Sequence, residues 1–281
     1  MSARQFLMNV AILSTIMAVA ALIEAAVPMF ARTSSAPQRR AANLGLTAVV
    51  FLLNWSLSSS AAILALALSW QPTDLPTRLG LPMSVQIIAG VVLLDFSAGY
   101  LAHRALHLFP VLWRFHRVHH SDDFVDVTTT YRTHPVETVW RFLFVIVPVW
   151  VLGIPPQAVV IQRLVSAANG IFEHGNIRLW DRLDRVLSVV WVTPNVHKIH
   201  HSRDVAETNS NYGNVLTIYD RMFRTFTSSD RAESVVYGLA EADPRIGSFG
   251  ELLSMPFQDE LTRPLTQPSS GTHARADNVP V

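Results

Sequence analysis

Four long apolar stretches alternate with polar segments along the chain. They cover residues 6–30, 41–70, 81–102 and 142–172. A helix needs about 20 predominantly apolar residues to cross the hydrocarbon of a bilayer, so the pattern predicts membrane-spanning helices. The first apolar run is too long for a signal peptide, and we expect it to be retained.

The fourth stretch is interrupted near its middle by Gly153-Ile154-Pro155-Pro156 and contains Arg163. Histidines lie on both sides of it, and a single crossing would place them on opposite faces of the membrane. A shared metal site needs them on one face. We therefore predict a hairpin that turns at Pro155-Pro156, with passes short enough to be tilted or re-entrant.

Charges in the loops predict an orientation. The loop after the first stretch carries three arginines and no acid, whereas the next loop balances one arginine with one aspartate. By the positive-inside rule, the first loop is cytoplasmic. The third stretch then ends on the cytoplasmic face, where the histidines begin.

Composition narrows the chemistry. Half of the 281 residues are hydrophobic, 15% are charged, the net charge is +1 and there is no cysteine. Disulfides, iron–sulfur clusters and thiolate-bound zinc or haem are therefore excluded. The charge pattern has no basic stripe for nucleic-acid binding. Any metal must rest on histidine, aspartate, glutamate or asparagine.

Ten of the eleven histidines fall between positions 103 and 201, and only His273 lies outside. A spacing of three or four residues places two side chains on the same face of a helix. The histidines with such spacing form three motifs: His103 and His107; His116, His119 and His120; His197, His200 and His201. His134 and His174 lie between the last two motifs and are further candidates.

The number of histidines bears on the number of metals. Imidazole suits iron, copper, nickel and zinc, so the residue type alone does not identify the ion. A zinc ion takes at most four protein ligands. Eight to ten histidines therefore indicate two metals, or one metal with many spectators, and two metals fit the spacing better.

Residues 95–226 resemble the fatty acid hydroxylase and sterol desaturase superfamily of membrane di-iron enzymes, whose motifs are HxxxH, HxxHH and HxxHH. The resemblance rests on four segments: Leu112-Trp-Arg-Phe-His-Arg-Val-His-His-Ser121, Thr130-Tyr-Arg-Thr-His-Pro-Val-Glu137, Thr193-Pro-Asn-Val-His-Lys-Ile-His-His-Ser202 and Asn211-Tyr-Gly-Asn-Val-Leu-Thr-Ile-Tyr-Asp220. Two positions depart from the family pattern: Arg224 stands where many members have glycine, and Glu173 precedes His174.

This resemblance implies an all-α membrane bundle of about four spans with a cytoplasmic helical cap, in the plasma or inner membrane if the protein is bacterial. Residues 1–80 would be N-terminal membrane helices, residues 81–260 a fatty acid hydroxylase-like catalytic domain and residues 261–281 a disordered tail. The implied ligands of two irons are His103, His107, His116, His119, His120, His197, His200 and His201, with His134 and His174 as the ninth and tenth.

The implied reaction is O2-dependent hydroxylation of a lipid, with desaturation or ether-lipid monooxygenation as alternatives. The chain has no motif for a fused cytochrome b5, dinucleotide site or iron–sulfur centre, so we expect a separate electron donor, a ferredoxin or a cytochrome b5-type protein with its reductase. Arg114, Arg117 and Lys198 are candidate docking cations. Two rival functions are a membrane metal transporter or store and a zinc-dependent lipid hydrolase.

Several polar residues near the histidines could orient the ligand rings from behind. Asp95 is either such a residue or a polar group satisfied within the bundle. The same two interpretations apply to a further set: Asp122, Asp126, Glu137, Glu173, Asn176, Asn211 and Asn214.

Overall fold

A computed structural model describes residues 3–31, 36–67, 75–239 and 247–258, and within these ranges the chain is helical without a β-strand. His273 and the predicted tail 261–281 lie outside the described residues. The α-helices of the described part are α1 (Ala3–Ala26), α2 (Ala36–Ala67), α3 (Leu75–Arg78), α4 (Met83–Leu94), α5 (Ala102–Leu108), α6 (Pro110–His120), α7 (Pro135–Leu152), α8 (Pro156–His174), α9 (Asp181–Leu187), α10 (Pro194–His200), α11 (Val205–Thr208), α12 (Ile218–Met222) and α13 (Phe249–Ser254).

Four helical segments are long and apolar enough to cross a membrane: Ala3–Ala26, Pro37–Ala65, Met83–Leu108 and Pro135–Leu152. They correspond to the four predicted stretches, except that the fourth is represented by α7 alone. α8 is not among the four segments because it carries a row of polar residues. Large apolar side chains such as Leu22, Ile63 and Ile88 are exposed on the outside of the bundle, where lipid tails would cover them.

The predicted turn between α7 and α8 is confirmed. α7 ends at Leu152, and Gly153 adopts a left-handed conformation with φ +70° that suits glycine after a helix. Pro155 is extended, and Pro156 starts α8 at a position where its missing N–H costs nothing. The start of α7 and the end of α8, which are the ends farthest from this turn, approach the histidines.

α4 and α5 are joined through a π-helical segment, Asp95–Leu101, into one continuous rod. The segment is fastened to α7 because Ser97 donates a hydrogen bond to the carbonyl of Phe144 at 2.8 Å. Trp140 of α7 also donates to the carbonyl of Ala102 at 3.1 Å. A π-helical turn changes the direction of the side chains that follow it. Here those side chains include His103 and His107, which lie in the last turns of the rod rather than beyond it.

A buried cluster of charges attaches the start of α2 to the loop after α6. Arg39 is fully buried and forms ion pairs with Asp122, at 3.0 Å, and with Asp126. Asn43 donates to Asp122 and accepts from Arg132. Removing one partner from such a buried set typically costs about 3–5 kcal/mol, because it leaves an unpaired charge. Asp122 and Asp126 therefore support the fold instead of the histidine rings.

Candidate metal centre

Nine buried histidines converge in two adjacent groups. We call the first the five-histidine group (His103, His107, His116, His120 and His200) and the second the four-histidine group (His119, His174, His197 and His201). Within each group the potential ligand atoms all lie within 4.8 Å of one another. The groups adjoin, because the rings of His120 and His201 are 4.7 Å apart between centroids.

The two HxxHH motifs contribute to both groups in a reciprocal way. On α6, His116 and His120 belong to the five-histidine group and His119 to the other. On α10 and the residue after it, His197 and His201 belong to the four-histidine group and His200 to the first. Positions i and i+4 share a helix face, whereas i+3 points slightly aside. Each motif can therefore serve two ions.

The Nε2 atoms have the spacing of ligands around a common ion. In the five-histidine group, Nε2 of His103 lies 3.0 Å from Nε2 of His116 and 3.1 Å from that of His200. In the four-histidine group, Nε2 of His174 lies 3.1 Å from that of His119 and 3.0 Å from that of His197. Two nitrogens that bind one metal at about 2.1 Å and at right angles are about 3.0 Å apart.

The Nδ1 atoms point away from the centre of each group, and we call them the outer nitrogens. Their hydrogen bonds show that several Nε2 atoms carry no proton and face one another with their lone pairs. Nδ1 of His103 donates to the carbonyl of Tyr212 at 2.8 Å, and Nδ1 of His200 donates to that of Ser210 at 2.7 Å. His116 donates from Nδ1 to Glu137 at 2.9 Å. A neutral imidazole carries only one N–H, so the Nε2 atoms of these three rings are acceptors.

Protonation of the rings does not relieve the repulsion between the facing Nε2 lone pairs. Burial lowers the pKa of His116, against the opposing effect of Glu137, and lowers that of His200 to about 3. The rings are therefore neutral near pH 7, and a cation between them would satisfy the facing lone pairs. A donor set of neutral imidazoles fits transition metals such as iron.

Fewer rings of the four-histidine group are held by a hydrogen bond at Nδ1. His174 has an acceptor for Nδ1, the carbonyl of Gly170 at 2.6 Å. In the described part of the chain, the buried Nδ1 atoms of His119, His197 and His201 have no hydrogen-bond partner. Glu173 lies nearby, with Oε1 3.9 Å from Nε2 of His197.

The structure does not bring His134 into either group. Its Nδ1 accepts a hydrogen bond from the backbone of Val136 at the start of α7. Its ring packs against Phe115 and Phe257. His134 thus caps a helix at the edge of the site.

The acids and amides considered from sequence have different roles. Glu137 alone bonds a histidine ring directly, and it is held in turn by Arg141 at 2.8 Å. Asp95 accepts from the backbone of Leu216. Asn176 binds both backbone groups of Phe30.

The two remaining amides lie closer to the site. Asn214 donates to Glu173 at 3.2 Å, next to the four-histidine group. Asn211 has φ +52° and bonds the carbonyl of Val196. It therefore helps to shape the loop that supplies the carbonyls of Ser210 and Tyr212.

Sequence reasoning missed most of the groups that hold the rings. The carbonyls of Gly170, Ser210 and Tyr212 belong to the backbone and carry no side-chain signal. Asn209, whose side-chain Oδ1 lies 3.3 Å from Nδ1 of His107, belongs to none of the histidine motifs. The hint in the sequence was the segment 211–220, which resembles the family and contains Tyr212, although only its asparagines Asn211 and Asn214 were considered as supporting residues.

Two of the three predicted docking cations are wrong. Arg117 is 2% exposed and donates to the carbonyl of Met255, and Lys198 is fully buried and donates to the carbonyl of Gly175 at 3.0 Å. Burial lowers the pKa of Lys198 to about 7. Neither side chain can meet a soluble partner. Arg114 bonds the carbonyl of Pro256 and remains partly accessible.

A cavity of about 220 Å³ opens on the histidines and extends between α2, α7 and α8. Its histidine end is formed by His103, His119, His174 and His197. Val50, Phe142 and Val145 contribute apolar wall, and Asn54 and Arg163 also line the cavity. The site is therefore connected to a narrow space among the apolar helices.

Comparison with known proteins finds the same family. Residues 87–225 match the family model described as fatty acid hydroxylase. The ornithine lipid hydroxylase OlsE of Rhizobium tropici is 35% identical over 158 residues, which are 56% of this chain and 46% of that protein. An alkylglycerol monooxygenase of Caenorhabditis elegans is 30% identical over 140 residues, 50% of this chain and 27% of that protein.

A third relative is the fatty acid hydroxylase vlmA of a Lecanicillium species, 25% identical over 207 residues, 65% of this chain and 54% of that protein. The chain thus spans about half or less of the length of these relatives. No solved structure matches the chain.

Proposed function

The histidine-bearing part of the chain, residues 87–225, belongs to the fatty acid hydroxylase family, and from this premise we propose that the protein is a multi-pass membrane di-iron oxidoreductase that hydroxylates a lipid with O2. The observation that carries the proposal is the pair of adjoining histidine groups at the end of a narrow cavity. The names of the relatives, which include a lipid hydroxylase and a monooxygenase, support hydroxylation over desaturation.

We assign one iron to each histidine group, so that nine histidines are ligands and His134 is not. Bound iron would supply the redox chemistry that activates O2 toward a C–H bond. The protein's own contribution begins with the outer nitrogens. Glu137 keeps the proton of His116 on Nδ1, and the carbonyls of Ser210 and Tyr212 do the same for two further rings. Each Nε2 is thereby left free to bind metal.

The cavity provides the second contribution. Apolar side chains on α2 and α7 would lie along a lipid chain and keep bulk water from the histidines. Three of the four cavity-lining histidines, His119, His174 and His197, belong to the four-histidine group. We therefore propose that the substrate carbon approaches the metal of that group.

The proposed reaction needs electrons from a donor. We propose a ferredoxin or a cytochrome b5-type donor with its reductase, acting on a catalytic site that faces the cytoplasm. Arg32, Arg39 and Arg40, which lie between the first two apolar stretches without an acid among them, support this orientation. Since Arg117 and Lys198 are buried, the donor surface must use other residues.

The rival functions account for fewer observations. A metal transporter would place ligands at several depths along a path through the helices, whereas here two groups adjoin at one end of the bundle. A zinc hydrolase would use three or four of the nine histidines. Ether-lipid monooxygenation remains the alternative within the family, because an alkylglycerol monooxygenase is among the relatives.

The test is lipid analysis of membranes from cells that express the protein with an electron donor under heavy-oxygen gas. We expect a lipid that gains one oxygen atom derived from O2. Expression of His197→Ala, which removes a ligand facing the cavity, should abolish the product. A product without heavy oxygen, or one that persists in His197→Ala, would contradict the proposal.

A further inference from the structure

Arg163 is a cation among the apolar helices without a carboxylate partner in the described part of the chain. It lines the cavity and is half-buried. Among the described residues its one hydrogen bond is from Nη2 to Oδ1 of Asn54 on α2, at 2.7 Å. A guanidinium has five N–H donors, so most of them are left for whatever enters the cavity.

The other arginine of the cavity behaves differently. Arg141 lies near the histidine end and forms an ion pair with Glu137 at 2.8 Å. An ionised side chain at membrane depth is costly and is normally paired or functional. Arg141 follows that rule within the protein. Among the residues that the structure describes, Arg163 has only the neutral amide of Asn54, and no carboxylate compensates its charge.

The position of Arg163 on α8 fixes its distance from the metal centre. The cavity-lining residues of α8 recur at helical spacing along one face, from Arg163 through Ser166 and Gly170 to His174. Eleven residues separate Arg163 from His174, which corresponds to about 16 Å along the helix axis. The cation therefore lies at the far end of the same passage that begins at the four-histidine group.

We propose that Arg163, positioned by Asn54, binds an anionic oxygen group of the lipid, a carboxylate or a phosphate. A planar guanidinium matches either group with two parallel hydrogen bonds, and the low dielectric among the helices strengthens the attraction. This inference rests on the proposed function, since it assumes that a lipid occupies the cavity. It adds that the substrate is acidic and that its charged group sets which carbon reaches the metals.

The experiment compares binding of four probes to the detergent-solubilised, metal-containing protein: dodecanoate, dodecyl phosphate, dodecanol and methyl dodecanoate. Their chains are equal, so differences in affinity report the terminal group. We expect the wild type to bind at least one anion about tenfold or more tightly than both neutral probes. The favoured anion identifies the carboxylate or the phosphate as the source.

Variants locate the preference. Arg163→Gln should remove it while keeping a hydrogen-bond donor for Asn54, and Arg163→Lys should keep part of it. Arg178→Gln is the matched control, because Arg178 is about half exposed and pairs with Glu233 outside the cavity. It should leave the preference unchanged.

Equal binding of all four probes by the wild type overturns the inference, whether or not the variants fold. An anion preference that survives in Arg163→Gln does the same. Failure of the proposed function is distinguishable, because metal content and O2-dependent oxidation are measured separately. If the protein prefers anions but does not oxidise lipid, the anion subsite stands and the proposed oxygenase function fails. If it oxidises lipid without preferring anions, the proposed function stands and the subsite fails.

Discussion

The two histidine groups have the same ligand type but differ in what lies behind the rings. In the five-histidine group, four of the five Nδ1 atoms face an acceptor: Tyr212, Asn209, Glu137 and Ser210 supply them. In the four-histidine group, only His174 has one among the described residues. An acceptor fixes the tautomer and orientation of a ligand ring and makes it more basic.

This difference indicates that the two groups have different roles. On the proposed function, the five-histidine group is prearranged for a metal, whereas the four-histidine group has fewer fixed rings and lines more of the cavity. A site that must admit O2 and substrate benefits from an open, adaptable coordination sphere. We therefore expect the first metal to be held firmly and the second to be exchanged more readily.

The largest effect is expected from removing a ligand of the firmly held group. His103→Ala should lose at least one metal per chain and lower lipid oxidation by two orders of magnitude or more, about what removing an essential ligand costs. Metal analysis and product formation by the purified variant measure both effects.

His134→Ala is the control for that experiment, because it removes a buried histidine that lies outside both groups. It should retain full metal content. Its stability should fall by about 0.5–2 kcal/mol for the lost helix cap, and further for the lost packing against Phe115 and Phe257. If His134→Ala lost metal as His103→Ala does, the assignment of nine ligands would be wrong.

A smaller effect is expected from Glu137→Gln. The amide keeps the shape of the side chain but weakens the charge-assisted bond to His116, so metal affinity of the five-histidine group should fall about 10–100-fold. Competition with a chelator measures the change. The four-histidine group should be unaffected, and equal weakening of both metals would refute the separate roles of the groups.

The order of metal loss tests the comparison without any substitution. During exposure of the wild-type protein to a chelator, we expect two phases, with the metal of the four-histidine group leaving first. His174→Ala should remove the fast phase and leave the slow one. A single phase in the wild type would show that the groups bind equally firmly.

The smallest effect concerns the metal-free protein and pH. Burial lowers the pKa of His116, His119, His120, His197, His200 and His201. The unfolded chain therefore binds more protons than the folded one below about pH 6.5, and stability falls as the pH decreases. For His200 this contribution continues down to a pH of about 3.

Thermal unfolding of the metal-free protein between pH 7.5 and 5.5 checks this expectation. The slope should be at most about 1.4 kcal/mol per buried histidine for each pH unit. The melting temperature should decrease with acidification, and a melting temperature independent of pH would contradict the neutral, buried state of these rings.

The sequence predicted the parts of this structure that depend on hydrophobic length and helical spacing. The apolar stretches, the turn at Pro155-Pro156 and the grouping of His103 with His107 all follow from local pattern. The local pattern also allows each HxxHH motif to contribute to one group or to two. The structure shows that each contributes to two.

Properties that arise from tertiary packing were not predictable in this way. His134 has the same chemistry as the nine grouped histidines, and only its place at the start of α7 separates it from them. The burial of Arg117 and Lys198 depends on segments distant in sequence. The carbonyls that hold the outer nitrogens have no side-chain signature at all.

Iron analysis of protein purified without oxygen tests the central claim most directly. The account predicts two irons per chain in the wild type, about one in His174→Ala and two in His134→Ala. One iron per chain in the wild type, or zinc in place of iron with lipid oxidation intact, would contradict it.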